Sequence, residues 1–440
     1  MYFCIKGLDM ITKELLKRIL TEQRTYFLEK STGVRREALQ RIREKRRLPH
    51  IHVISGVRRC GKSTLLRQIA AEFYNDHDFY YISFEDERLL GFNASGFGLV
   101  YETMLDLFGS HKTFLIDEIQ LVENFDSFVR RFYDQGFKFY LTGSNAGLLQ
   151  EEISTRLTGR HVDTRLQPFS FREFMQFHDF DASGYNLYIT ENQSMIRKMF
   201  DNFLTTGGMP EFVRYRDNEI IRRNYEDIIS RDILYRKQVE NVRSAKELYL
   251  FLINAFSQRF SYNSLHKALT GKPSVNTIKN YVGYLEETYL IRVISRFDYS
   301  IARQMANDKK VYACDNAFVM HLSTRAGTDK GWLLENLVAV GLGKDEKDIF
   351  YYSGKRECDF IIMSEKTVEA AYQVCWELNS ANERRELEGI AEALRHTGLD
   401  RGVILTYDHD EERINDGKLI RILPVWKWLL IPEDEEKKEA

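Results

Sequence analysis

The chain has 440 residues, of which 43% are hydrophobic and 29% are charged, a composition typical of folded rather than disordered proteins. Its 63 basic and 65 acidic residues give a formal net charge of -2, which excludes a globally basic nucleic-acid-binding protein but not a local basic face. The five cysteines form no C-x-x-C pair and no apolar run is long enough to span a membrane, so the sequence predicts a cytoplasmic protein without a zinc site or a disulfide.

The N-terminal third alternates between helical and strand-like patterns. Residues 11–47 are predicted to be helical with a break at Gly33, and they include a basic run from Arg35 to Arg47. This run is interpreted either as a solvated helix face or as a contact surface for nucleic acid or a neighbouring subunit. The predicted strands that follow are 50–55, 79–84, 113–116, 137–142 and 161–166. Strands separated by helices predict a parallel α/β sheet covered on both faces.

A glycine-containing loop follows the first predicted strand. Residues 56–63 read G-V-R-R-C-G-K-S, which matches the P-loop pattern G-x-x-x-x-G-K-[ST] at every fixed position, between a strand and a helix predicted over 62–73. Such a loop wraps its backbone N–H groups around a β-phosphate, while the lysine reaches the β- and γ-phosphates and the serine hydroxyl binds Mg²⁺. The sequence therefore predicts an ATP and Mg²⁺ site. Its predicted nucleotide-binding residues are Gly56, Arg59, Cys60, Gly61, Lys62, Ser63 and Thr64, with Ser63 also a metal ligand.

Two adjacent carboxylates, Asp117 and Glu118, end the apolar run that begins at Thr113. Parallel strands deliver their C-terminal residues to the ligand edge of a sheet, so this pair is predicted to lie beside the P-loop. Phosphoryl transfer needs a metal anchor and a group that positions the attacking water. Asp117 is predicted to hold Mg²⁺ through water, and Glu118 to polarise the attacking water.

The next strand ends in polar residues at Ser144 and Asn145, and an arginine-bearing stretch precedes the last strand. This order of elements resembles the AAA+ superfamily. The resemblance implies that the strand tip senses the γ-phosphate, with Asn145 preferred over Ser144. It also implies an arginine finger that reaches a neighbour's nucleotide in a homo-oligomer. Arg156 and Arg160 lie in the corresponding stretch, and Arg160 is our choice.

Further landmarks resemble one branch more closely, the prokaryotic AAA+ ATPases with a C-terminal domain of unknown function that has a restriction-endonuclease-like core. The matching segments are 84–88, 141–145, 168–174, 207–211, 310–315 and 334–336. In related clades a Gly-x-Pro segment of the helical lid approaches the adenine. The resemblance therefore implies that Pro210 contributes to nucleotide binding.

Residues 261–293 are predicted to form a winged helix-turn-helix. Ser274 is placed to cap a helix with one apolar and one polar face. The apolar face comprises Val275, Ile278, Val282 and Leu285, and the opposite face offers Asn276, Thr277, Lys279 and Asn280. The second helix of such a fold can enter the major groove of DNA. Glu286 and Glu287 at the helix end oppose phosphate contact, so DNA binding and domain packing both remain open.

The last part of the chain resembles a restriction-endonuclease fold, whose site uses a helical Glu, a strand Asp and an E-x-K motif to hold Mg²⁺ and orient water. Glu335 and Asp359 match the first two positions. In the strand predicted over 371–377, Gln373 and Cys375 stand where Glu and Lys belong. A neutral amide is a poorer Mg²⁺ ligand and a thiol cannot replace an ammonium. We expect no nuclease activity, although a shifted strand would make Glu377 the missing carboxylate.

The predicted fold class is α/β, a P-loop NTPase parallel sheet with a helical lid, followed by a winged-helix domain and a restriction-endonuclease-like α/β domain. The predicted divisions are an N-terminal helical segment 1–49, an ATPase core 50–168, a lid 169–240, a winged helix 241–310, a nuclease-like domain 311–432 and an acidic tail 433–440. Three functions remain open: an ATPase that acts on a partner such as DNA, an ATP-dependent nuclease, and a slow nucleotide-binding switch that acts through protein contacts.

Overall fold

The computed structural model describes residues 11–74, 77–144, 159–180, 189–325, 329–344 and 347–431. These residues divide into two compact units, the first over Met1–Leu166 and the second over Gln167–Ala440. Within the described ranges, no helix combines the length and the apolar character needed to cross a membrane.

The first unit is a five-stranded sheet in the order β2-β3-β4-β1-β5, and every neighbouring pair is parallel. The strands are β1 Ile51–Ser55, β2 Tyr80–Ser83, β3 Thr113–Asp117, β4 Lys138–Gly143 and β5 His161–Arg165. All residues of β1 and β3 are buried, as the continuous apolar runs predict for a parallel sheet with two covered faces. The predicted P-loop NTPase sheet is therefore confirmed.

Five α-helices of this unit are described, two of them preceding the sheet. They are α1 Lys13–Glu29, α2 Ala38–Lys45, α3 Lys62–Phe73, α4 Phe97–Phe108 and α5 Phe125–Asp134. Aromatic side chains dominate the core on the face where α1, α4 and α5 pack, including Phe97 stacked on Phe128 and Phe114 stacked on Phe139. This packing holds β3 and β4, whose ends carry the predicted catalytic side chains.

Several arginines of the basic N-terminal run contact residues of α3 and do not form one solvated face. Arg35 and Arg43 both form ion pairs with Glu72, and the Arg46 guanidinium lies over the ring of Phe73. Arg36 is buried, with only 3% of its surface exposed. The interpretation of the run as a solvated face is therefore wrong for Arg36, because its side chain packs inside the unit.

The helices of the second unit surround a larger sheet. They are α6 Phe171–Phe177, α7 Thr190–Thr206, α8 Pro210–Tyr215, α9 Asn218–Asp227, a π-helical turn Ile228–Tyr235, α10 Val242–Asn254, α11 Tyr262–Ala268, α12 Val275–Glu287, α13 Ile301–Ala306, α14 Asn316–Leu322, α15 Lys330–Leu342, α16 Glu383–Thr397 and α17 Val425–Trp428. Ser170 caps α6 in a capping box with Glu173, which explains why a helix begins at Phe171.

Nine strands form the sheet of the second unit, in the order β13-β14-β12-β11-β10-β9-β7-β8-β6. They are β6 Gln258–Phe260, β7 Ile291–Arg296, β8 Lys309–Ala313, β9 Asp348–Ser353, β10 Glu357–Ser364, β11 Thr367–Val374, β12 Arg401–Thr406, β13 Glu411–Asn415 and β14 Lys418–Pro424. β7 pairs with both β8 and β9, so the sheet continues across residue 310, where the sequence predicts a domain boundary. The shared sheet provides the physical connection between the segments on either side.

The helix pair α11 and α12 is followed by the antiparallel pair β7–β8, and β6 adds to β8. Ser274 accepts a hydrogen bond from the Thr277 N–H and caps α12, as predicted. Ile278, Val282 and Leu285 are buried, and Asn276, Lys279 and Asn280 are exposed. Val275 and Thr277, in the first turn, are both half-buried and do not follow the predicted faces.

Candidate functional site

The P-loop connects the end of β1 to the start of α3, and its glycines are required by close contacts. Gly61 has φ +106°, in the left-handed region, and a Cβ there would lie 2.9 Å from Nη1 of Arg36. A Cβ on Gly56 would overlap the backbone carbonyl of Leu166. Arg59 also has a positive φ, of 62°. The loop is thus curled tightly around the N-terminus of α3, where the first-turn N–H groups can bind an anion.

Lys62 is the first residue of α3, and its side chain folds back into the loop. Its ammonium donates to the carbonyl oxygens of Gly56 at 3.1 Å and Val57 at 3.3 Å, and it lies 3.8 Å from Oε1 of Glu118. The side chain is 4% exposed. The ammonium is held by two backbone carbonyls, with a carboxylate at longer range, and it can exchange these contacts for a phosphate that enters the loop.

Two other predicted loop residues have different surroundings. Cys60 is fully buried, and burial raises the pKa of its thiol, so it contributes through its backbone and not as a thiolate. The hydroxyl of Thr64 accepts a hydrogen bond from Arg67 at 2.8 Å. Both residues lie in the loop and first helical turn where the sequence predicts nucleotide contacts, and their roles remain predictions.

Asp117 ends β3 beside the P-loop. Hydroxyl groups of Ser63 and Thr142 bind its carboxylate, and the residue is buried. Burial and the neighbouring Glu118 raise the pKa of Asp117, while these hydroxyls and Lys62 act in the opposite direction. A carboxylate destabilised by its surroundings gains from a cation, and the adjacent Ser63 hydroxyl completes a donor set that fits Mg²⁺.

Glu118 has a positive φ of 53°, a conformation that is uncommon for a residue with a side chain. Its backbone N–H donates to the Thr142 hydroxyl at 3.0 Å, and its carboxylate accepts from Gln120 and, at 3.2 Å, from Ser144. Burial opposes ionisation, but Lys62 and these donors outweigh it and lower the pKa of Glu118. The side chain is therefore a positioned anion near the P-loop, as a water-orienting group must be.

Several residues of this site were missed at the level of sequence. Arg36 donates from Nη1 to the carbonyl of Cys60 at 2.8 Å, and its own N–H donates to Gln68 at 3.0 Å. Arg36 therefore helps to hold the P-loop backbone in place at Cys60. Gln120 is the second such residue, because its amide contacts both Glu118 and Ser144. Neither residue belongs to a sequence motif, so their contacts with the P-loop and with Glu118 become visible only in the folded structure.

Arg160 precedes β5, whose last residue, Arg165, pairs with Ser55 next to the P-loop. Five strand residues separate Arg160 from that edge, which corresponds to about 15 Å. Its guanidinium instead contacts Asp134 at 2.9 Å and lies over the ring of Tyr133. Arg160 therefore does not serve the P-loop of its own chain. The alternative Arg156 and the predicted sensor Asn145 lie outside the described residues.

Pro210 begins α8 in the second unit, after two glycines in close contact with their surroundings. The Gly208 N–H donates to Asp315 at 2.6 Å, and its carbonyl accepts from the Phe169 N–H at 2.7 Å. A Cβ on Gly207 would overlap the Asp315 carboxylate. Burial raises the pKa of Asp315 to about 7, against the effect of its backbone donors. These close contacts explain why glycines occupy positions 207 and 208. The contact of Pro210 with adenine stays a prediction.

A second group of charged residues lies in the nine-stranded sheet. Glu335 of α15 and Asp359 of β10 come together, and Lys310 of β8 contacts both, at 3.0 and 2.9 Å. Gln373 accepts from the Asp359 N–H and donates to Glu386 at 2.6 Å. The sequence therefore identified two members of this cluster but missed its cation. The available signal was a lysine pair, 309–310, that opens an otherwise apolar run.

Comparisons with known proteins agree with the P-loop site. Residues 49–175 match the family model described as an AAA domain, and residues 197–329 match the Domain of unknown function (DUF8612). An uncharacterized protein of Methanocaldococcus jannaschii is 36% identical over 398 residues, which cover 86% of this chain and 88% of that protein. An uncharacterized protein of Haemophilus influenzae is 27% identical over 419 residues, covering 92% of this chain and all of that protein.

Solved structures with detectable similarity include AMPPCP-bound DnaA from Aquifex aeolicus, with 17% identity and a TM-score of 0.27. That match covers 57% of this chain and 87% of DnaA. A second is the Holliday junction branch migration motor RuvB of Thermotoga maritima, with 16% identity and a TM-score of 0.28, covering 64% of this chain and 89% of RuvB.

Proposed function

Because the chain belongs to the AAA+ ATPases that carry a C-terminal domain of unknown function, we propose that it binds and hydrolyses Mg·ATP at the P-loop and acts on a partner, DNA, through its C-terminal unit. The observation that carries the ATPase assignment is the juxtaposition of Lys62, Asp117 and Glu118 at one edge of the sheet. A lysine, a metal-binding carboxylate and a water-orienting carboxylate are the groups that phosphoryl transfer requires.

Each group has a separate task in this proposal. Asp117 and Ser63 would hold Mg²⁺, whose charge offsets that of the phosphate oxygens. Lys62 releases the carbonyls of Gly56 and Val57 and binds the β- and γ-phosphates. Glu118 orients the attacking water, while Ser144 and Gln120 fix its carboxylate.

Arg160 is proposed to act in trans as an arginine finger, in a homo-oligomer. This role is compatible with its partly exposed position, where an ion pair with Asp134 is its described charge contact. An arginine finger stabilises charge on the transferring phosphoryl group and can be worth ~10³ in rate. We therefore expect Arg160→Ala to lose most ATP turnover while it still binds ATP.

The trans role is tested by mixing subunits. Arg160→Ala and Lys62→Ala chains are each expected to hydrolyse ATP much more slowly than the unchanged chain, and a mixture should recover part of the activity, because one intact site can form between an intact P-loop and an intact Arg160. Arg18→Ala serves as the control, because Arg18 is exposed on α1 and, like Arg160, pairs with a carboxylate, that of Glu22 at 3.0 Å. A monomeric chain with full activity, or a mixture no more active than its components, would reject the role of Arg160 in trans.

The proposal that the partner is DNA rests on α12. Its exposed residues Asn276, Lys279 and Asn280 form one polar face. The carboxylates that would repel phosphate are occupied, since Glu286 accepts from the Val293 N–H at 2.9 Å and Glu287 pairs with Lys237 at 2.6 Å. The alternative is a slow nucleotide-dependent switch that acts through protein contacts.

Duplex DNA is expected to bind the chain and to raise its ATP turnover. Lys279→Ala should weaken DNA binding several-fold and reduce the slope of log affinity against log salt by about one, because one phosphate contact is lost. Fluorescence anisotropy over a salt series measures both effects, with exposed Lys246→Ala as the matched control. Equal binding by the two variants, or no effect of DNA on turnover, would favour the protein-contact switch.

A further inference from the structure

Three carboxylates that contact the Lys310 side chain, those of Glu335, Glu357 and Asp359, line a cavity of about 700 Å³ in the second unit. The Lys310 ammonium donates to Oε1 of Glu335 at 3.0 Å and to Oδ1 of Asp359 at 2.9 Å, and it lies 2.6 Å from Oε1 of Glu357. Tyr312 donates its hydroxyl to the same oxygen of Glu335 at 2.7 Å. One buried ammonium thus joins three carboxylates that come from a helix and a strand.

The resemblance to a restriction-endonuclease fold implies Mg²⁺ between Glu335 and Asp359, and the residues present do not fit that ion. The space that joins these two carboxylates is taken by the ammonium itself. The second oxygen of Asp359 accepts from the Val374 N–H at 2.9 Å. The side-chain oxygen of Gln373 accepts from the Asp359 N–H, and its amide nitrogen donates to Glu386.

Electrostatics oppose the replacement of this ammonium by a metal. Lys310 is 3% exposed, and a buried ammonium that loses its carboxylate partners is strongly destabilised. Burial alone would lower the pKa of Lys310, yet Asp359 and Glu335 raise it well above its ordinary value, so the side chain stays charged. Burial and Asp359 raise the pKa of Glu335, whereas Lys310 and the Tyr312 hydroxyl act to lower it, so the ammonium favours the ionised carboxylate.

We propose that the Lys310 ammonium takes the place of a divalent metal ion between Glu335 and Asp359, so that the cavity of this unit is closed to metals and to metal-dependent cleavage of phosphodiesters. The positive charge between the two carboxylates then belongs to the Lys310 side chain. Unlike a bound metal ion, it offers no open coordination position to a phosphate. Removal of Lys310 should open a metal site that the intact chain lacks.

The test measures Mn²⁺ binding by the electron paramagnetic resonance signal of free Mn²⁺, without nucleotide. All chains carry Asp117→Asn, so that the P-loop site contributes no metal. The otherwise unchanged chain is expected to bind no Mn²⁺ at this cluster. Lys310→Met should bind one Mn²⁺ per chain, and the further change Asp359→Asn should abolish that binding. Mn²⁺ should also raise the unfolding temperature of Lys310→Met alone, which gives a second readout if this variant is less stable.

Two results would overturn the proposal. One is stoichiometric Mn²⁺ binding by the chain that retains Lys310, lost on Asp359→Asn. The other is a Lys310→Met chain that gains neither Mn²⁺ binding nor thermal stabilisation by Mn²⁺. Incubation of the intact chain with plasmid and single-stranded DNA in Mg²⁺ or Mn²⁺, with and without ATP, adds an independent check. We expect no cleavage, and cleavage abolished by Asp359→Ala would contradict the proposal.

Discussion

Glu118→Gln is expected to retain Mg·ATP binding while ATP turnover falls by about 10²–10⁴-fold, the range associated with loss of a positioned acid–base group. The amide has the shape of the carboxylate and can keep the contacts with Gln120 and Ser144 only in part. It lacks the negative charge that Lys62 and its neighbours stabilise in Glu118. Water held by the neutral amide is therefore poorly polarised for attack.

Phosphate release and calorimetric ATP binding are measured on the same preparation. Glu123→Gln provides the matched control, because Glu123 is exposed and lies only five residues further along the chain. Undiminished turnover in Glu118→Gln would place the water-orienting role elsewhere. Asp86 would then be the next candidate, although it is already bound by Arg88 at 2.8 Å and by Gln23 at 3.0 Å.

Lys62→Ala is expected to lower Mg·ATP affinity by about 10- to 100-fold, equivalent to the ~1.5–3 kcal/mol of a hydrogen bond to a charged group. The ammonium is placed in the P-loop and is held there by two backbone carbonyls. Alanine removes that charge from the β- and γ-phosphates without altering the N–H groups of the loop. The calorimetric dissociation constant therefore rises, and turnover falls with it.

Lys17→Ala controls for the loss of a lysine outside the P-loop, because Lys17 lies on α1 and pairs with Glu14 at 3.1 Å. Circular dichroism and the unfolding temperature establish that Lys62→Ala remains folded. A folded Lys62→Ala chain with the affinity of the unchanged protein would remove the P-loop from the nucleotide site.

The first unit is predicted well from sequence because its signals are local. The limits of the helix Lys62–Phe73 agree with the prediction, since a glycine loop begins it and an apolar face sustains it. Asp117 and Glu118 follow directly from the end of a buried strand. In contrast, Arg36 looks like its basic neighbours in the sequence. Only its packing against Cys60 distinguishes it from them.

The second unit is predicted less completely because its contacts join distant segments. The strands Gln258–Phe260 and Ile291–Arg296 were missed, the first because it has three residues and the second because its burial does not alternate. Lys310 is separated from Asp359 by 49 residues in sequence, so no local pattern connects them. The sequence predicted Glu335 and Asp359 as members of one site but not Lys310. In the folded chain β8 brings the Lys310 ammonium between these two carboxylates.

The ATPase assignment is tested most directly by the rate of phosphate release from Mg·ATP as the concentration of pure protein is varied. We expect phosphate release that is proportional to protein concentration, saturates with ATP, stops in EDTA and falls sharply in Glu118→Gln. A rate equal to that of a Lys62→Ala preparation under the same conditions would contradict it.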